Sequence, residues 1–157
     1  MLQELKSFIT NKGMDEYILR LKTLREFFNK KKRQYAILTL ILLILLPVEL
    51  ITLLFFEVGD KKLSVNNVLV LLSTFSGIAI IITGFFFIIS FNKYLTFKHA
   101  AKLISSLIEE LSFKKDVEDM IKTSKVFITR LSKELSLPRT YIVKRLIFKR
   151  KGVPYVI

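Results

Sequence analysis

Two apolar stretches, residues 35–56 and 65–90, with only Glu57–Ser64 between them, constrain this chain more than anything else in it. Each is long enough to cross a bilayer, which takes about 20 apolar residues. The first carries one charge, Glu49, and the second carries none. Buried helices of a soluble protein would share this composition, but small domains bury too little surface to wrap two such helices completely. In lipid, only helices and closed barrels satisfy their backbone polar groups. The sequence therefore predicts an all-α membrane protein built on a two-helix transmembrane hairpin.

The charges orient that hairpin. Residues 1–34 hold nine Lys and Arg against four acids, and residues 91–157 hold fifteen against six. The connecting loop, 57–64, has Lys61 and Lys62 offset by Glu57 and Asp60. By the positive-inside rule, both termini face the cytoplasm and the loop faces out. Tyr35 and Tyr94 stand where interfacial aromatics belong. The first apolar run follows a long charged segment and is too long for a signal-peptide core, so no cleavable signal is expected. The net charge of +13 does not by itself indicate nucleic acid, because anionic lipid accounts for much of such an excess.

Residues 1–34 read as an amphipathic helical arm. Leu2, Leu5, Phe8 and Ile9 share one helical face, and Asn11-Lys12-Gly13 breaks the run. Met14, Tyr17, Ile18, Leu21, Leu24 and Phe28 then line a second helix. Its other face holds Asp15, Glu16, Arg20, Lys22, Arg25 and Glu26. The acids suit anionic lipid poorly, which favours packing against another cytoplasmic helix over lying on the membrane. Lys30, Lys31, Lys32 and Arg33 form a basic cluster at the edge of the first span, read as an anchor for lipid phosphates.

Within the first span, Pro47 removes one helical hydrogen bond. Glu49 lies about 12 Å from the outer end at roughly 1.5 Å per residue. A carboxyl at that depth must be neutral, paired or in water. Counting back from the loop sets it level with residue 72, so Ser73 and Ser76 are its expected partners. Gly77 and Gly84, near the stripe of Ser73, offer small faces for close helix packing, against the first span or a second copy.

Beyond residue 90 the apolar face continues through Leu103, Ile104, Leu107, Ile108 and Leu111, so the second span is expected to run on as one long helix. His99 falls at the membrane boundary. Ser112 is placed to cap a following helix, Phe113–Lys122. Thr129 to Leu146 reads TRLSKELSLPRTYIVKRL, which fits two short helices around a turn at Ser136–Leu137.

This pattern resembles the helix-turn-helix of winged-helix domains. A small residue (Ser132) sits inside the first helix, a leucine (Leu137) follows the turn, and a branched residue (Ile142) packs the recognition helix. The resemblance implies a winged-helix-like unit at about 113–157, with Asp116–Thr123 as first helix, Lys125–Ile128 as a short strand and Gly152–Ile157 as the strand after the recognition helix. It also implies nucleic-acid or partner contacts from Arg139, Thr140 and Lys144, with Lys149, Arg150 and Lys151 available to phosphates. Ser136 stands where glycine is usual, and no second wing strand fits before Ile157. In layout alone, N-terminal helix, tight hairpin and helical tail, the chain is similar to the two-transmembrane SLATT effectors of bacterial and archaeal conflict systems.

No Cys is present and His99 is the only histidine, which removes disulfides, thiolate sites and His-based metal or catalytic clusters. No Gly-rich phosphate loop or paired carboxylate points to an enzyme, and no cofactor, metal or catalytic residue is expected. The expected function is a membrane-anchored, non-enzymatic binding module whose basic tail contacts DNA or a protein partner. The alternative is a small homo-oligomeric pore through the second span, or an accessory subunit of a larger membrane complex.

Overall fold

The computed structural model describes residues 2–54, 75–114 and 116–147. The connecting loop at 57–64, Ser73, Lys149, Arg150, Lys151 and the strand expected at Gly152–Ile157 lie outside them. The described residues form helices α1 (Leu2–Lys12), α2 (Met14–Thr52), α3 (Phe75–Ser112), α4 (Val117–Leu135) and α5 (Arg139–Ile147).

Local chemistry explains the boundaries. Gly13 ends α1 with φ +83°, a left-handed conformation that costs only glycine little. Its N–H still donates to the Ile9 carbonyl at 3.0 Å. The second helix of the arm and the first apolar stretch, read as separate elements, are one helix: α2 passes through the basic cluster and past Pro47 without ending. The second apolar stretch likewise continues into the tail within α3, as its periodicity predicts.

Two expectations for the tail change. Ser112 does not cap the next helix, because its Oγ donates backwards to the Glu109 carbonyl at 2.6 Å. Asp116 takes that role, with extended backbone and a side chain accepting from the Glu118 N–H at 3.2 Å. Lys125–Ile128, expected as a strand, is helical within α4. The reason is visible in what α4 buries: Met120, Ser124, Phe127, Ile128 and Leu131 recur every three or four residues. That period overrides the local β-branched character of Val126 and Ile128.

The chain divides into two compact units, one of Met1–Lys30 with Thr96–Ile157 and one of Lys31–Leu95. In the first, α1 packs on both α4 and α5, and α4 packs on α5. Its core takes Leu5 and Ile9 from α1, Tyr17, Leu21 and Phe28 from α2, Ile104, Leu107 and Leu111 from α3, Met120 and Leu131 from α4, and Ile142, Val143 and Leu146 from α5. The rings of Phe28 and Phe97 stack at 5.9 Å. Two hydroxyls are enclosed in this core, Tyr17 Oη and Ser124 Oγ, and neither makes a hydrogen bond of ordinary geometry among the described residues. Burial pushes the Tyr17 phenol up to about 12, and nearby Ser124 offsets only part of that rise.

The turn between α4 and α5 is a Schellman motif. Ser136 adopts φ 52° and ψ 34°, its N–H bonds the Lys133 carbonyl at 3.3 Å, and the Leu137 N–H bonds the Ser132 carbonyl at 3.1 Å. Ser132 Oγ closes the turn from the other side by donating to the Leu137 carbonyl at 2.5 Å. The strained position is the one where the sequence puts serine in place of glycine.

Two outcomes follow for the full chain in detergent. Ser136→Gly should raise the unfolding free energy by about 1 kcal/mol, since glycine accepts φ 52° without a Cβ penalty; denaturant titration reads it, and equal or lower stability counts against strain at this turn. Tyr17 stays protonated in the fold up to about pH 12, whereas an unfolded phenol ionises near pH 10. Its contribution is therefore complete below pH 10 and is lost as pH rises to 12, by about 2–3 kcal/mol. The stability difference between wild type and Tyr17→Phe should shift by that amount between pH 8 and pH 12, and a pH-independent difference would contradict it.

Candidate functional site

Two sets of residues carry the chemistry, and each lies within one unit. In the unit of Lys31–Leu95, Thr83 and Ser90 turn inward while most of the large apolar side chains are exposed. Thr83 and Ser90 of α3 are buried, while Ile44 and Phe85 are 61% and 62% exposed. Thr39 Oγ1 donates to the Tyr35 carbonyl at 2.7 Å and lies 2.9 Å from Ser90 Oγ. Ser90 Oγ also reaches the Tyr35 carbonyl at 3.3 Å. Further along the seam, Thr83 Oγ1 donates to Glu49 Oε1 at 2.9 Å. Glu49 Oε2 is enclosed and has no hydrogen-bond partner among the described residues.

Glu49 thus pairs with Thr83, not with Ser76, and Ser73 lies outside the described residues. Counting depth from the centre of the 57–64 loop places the pairing at residue 72, about three helical turns before Thr83. Thr83, Thr39 and Ser90 carry a geometric signal: they come together only when the helix register is known. Gly77 is buried. Gly84 is half-exposed, and among the described residues a Cβ added there would meet nothing within 4 Å.

The second set lies in the unit of Met1–Lys30 and Thr96–Ile157. Helix α5 buries Ile142, Val143 and Leu146 and exposes Arg139, Thr140 and Lys144. Tyr141, 39% exposed, lies on the same outer side. The first turn of α5 has no acid and opens on Arg139. That is the reverse of what the helix dipole favours, so an anion at this end would be met by both the backbone and the guanidinium.

The other end of α5 is tied down by Arg20. Its Nη1 donates to the Ile147 carbonyl at 3.2 Å, its Nε pairs with Glu16 at 2.8 Å, and its guanidinium lies 5.4 Å from the Phe8 ring centre. Sequence reading places Arg20 on a solvated polar face; in the structure it joins α1, α2 and α5. Lys30, Lys31, Lys32 and Arg33 follow one another around a single turn of α2, with Lys30 and Arg33 exposed and Lys31 and Lys32 half-buried. Four successive residues spread around the helix and form a collar, not a one-sided patch. His99 is exposed.

Thr83→Val should destabilise the hairpin by about 1–2 kcal/mol, because it strips Glu49 of its partner. Adding Glu49→Leu should recover most of that loss, because both partners are then apolar. Detergent unfolding of the two singles and the double reads the coupling, and strictly additive effects would rule out the pair.

Compared with known proteins, the chain matches no family model, no curated protein and no solved structure.

Proposed function

We propose that this chain is a membrane-anchored, non-enzymatic binding module. The apolar parts of α2 and α3 cross the bilayer with both termini in the cytoplasm, and the basic helical unit engages a polyanionic partner, duplex DNA, through α5. The observation that carries this reading is the two-sided character of α5: a buried apolar face set on α1 and α4, and an outer side of Arg139, Thr140 and Lys144. The reading is supported by α4 and α5, which pack on each other across the tight turn at Ser136, with α1 packed on both. The membrane part is supported by two helices long and apolar enough to span, and no residue in the most apolar 18-residue window of α2 is buried. The orientation is supported by the basic excess on both flanks. A protein ligand in place of DNA would use the same outer side. The pore alternative draws less support, because Glu49 is bonded within its own hairpin.

The test uses the full chain in nanodiscs of neutral lipid, so that headgroups do not compete. Binding of a short duplex at 50 mM salt should fall steeply toward 200 mM, as counterion release requires. Arg139→Glu with Lys144→Glu should weaken it at least about ten-fold, each lost phosphate contact reducing the salt slope by about one. A folded chain that ignores duplex DNA at low salt removes the DNA reading and leaves a protein partner.

A further inference from the structure

Helix α1 is joined to α2 by one residue, Gly13, and the backbone ladder is intact on both sides of it. The Gly13 N–H donates to Ile9 at 3.0 Å, and the Gly13 carbonyl accepts from Tyr17 at 3.4 Å. Only φ +83° at Gly13 keeps α1 and α2 from being a single helix from Leu2 to Thr52. Reversing that sign would let the N–H groups of residues 14–16 reach the carbonyls of residues 10–12, bonds that the bend forbids. Nothing crowds the hinge, since a Cβ on Gly13 would meet open space. The angle alone disfavours a side chain there.

Straightening would carry α1 off the cradle formed by α4 and α5, uncovering Leu5, Phe8 and Ile9 together with the surface that receives them. A straightened α1 leaves Leu5, Phe8 and Ile9 in water, so it requires an equivalent cradle. Another molecule of the same sequence offers an identical one. Short hinges of this kind are where identical elements trade places between protomers. We propose that α1 is an exchangeable segment: the hinge at Gly13 opens, and a second copy of this chain receives α1 in its α4–α5 cradle, giving a dimer. The inference is independent of what α5 binds.

The test measures the mass of the full chain in detergent micelles by light scattering over a concentration series. Wild type should be mainly monomer, with dimer rising on concentration. Gly13→Ala, which makes φ +83° costly and a continuous helix favourable, should move the equilibrium toward dimer by about five- to thirty-fold per hinge. Gly13→Gln repeats the test with a second side chain. A five-residue Gly-Ser insertion placed directly after the substituted position in the Gly13→Ala variant should return it to monomer, because a long linker lets α1 fold back on its own cradle. Monomers in both variants, or a dimer that survives the insertion, would overturn the proposal; the latter would place the contact elsewhere, in the apolar helices. Failure of both variants to fold would overturn it as well, since an exchanged dimer keeps every α1 contact.

Discussion

The arrangement depends on a reversal of polarity between its two units. In the unit of Lys31–Leu95, Ile44 and Phe85 are more than half exposed while Ser90 is 2% exposed and Thr83 is 8%. In the other unit the usual order holds, with Leu5, Leu107 and Leu111 enclosed and Lys and Arg outside. Each large apolar side chain left in water forfeits about 1.5–3 kcal/mol, and residues 36–54 and 76–91 expose more than a dozen. Among the described residues no second protein layer covers them. Lipid is the solvent in which exposed leucine and phenylalanine cost nothing, and in which the one acid is costly to expose.

The helix assigned to binding is the least able to hold itself. Helix α5 has nine residues, well below the length at which an isolated helix persists in water. Its position is set from three directions: the Schellman turn fixes its start, burial of Ile142, Val143 and Leu146 fixes its face, and Arg20 holds its last carbonyl. Two of those supports come from the first thirty residues of the chain. Leu2–Lys12 and the start of α2 therefore belong to the same compact unit as the tail, although the apolar hairpin separates them in sequence. Any change that frees α1 also loosens the basic side, because Phe8 and Ile147 meet at Arg20.

What was legible in the sequence was what a single helix determines by itself. The apolar lengths, the break at Gly13 and the turn at Ser136 with its unfavourable backbone all follow from residues adjacent in the chain. What was missed depends on a partner. Arg20 reads as solvated until α5 brings the Ile147 carbonyl beside it. Ser112 and Asp116 are both good capping residues, and the choice between them turns on where α3 stops. The strand expected at Lys125–Ile128 was an error of window: four residues suit a strand, but twelve show the helical period of Met120 through Leu131. Thr83 was missed because the register of α2 against α3 is not set by the midpoint of the polar loop.

That register has its own physical origin. Leucine and isoleucine gain little by facing a helix in place of a lipid tail, so the apolar majority of α2 and α3 is nearly indifferent to rotation. Hydroxyls on such helices usually bond within their own helix, as Thr52 does with the Val48 carbonyl at 2.8 Å. Thr83 sends its donor across to Glu49 instead, and Thr39 with Ser90 closes around the Tyr35 carbonyl. An interhelical bond of this kind adds only about 0.6–1.7 kcal/mol. Turning an acid out to lipid costs about 2.5–3.5 kcal/mol on insertion scales, and more in other treatments. Avoiding that exposure therefore outweighs making the bond. Glu49 selects the rotation of the hairpin more by what it forbids than by what it bonds, and the two threonines and Ser90 then fix how far along the helices that rotation is locked.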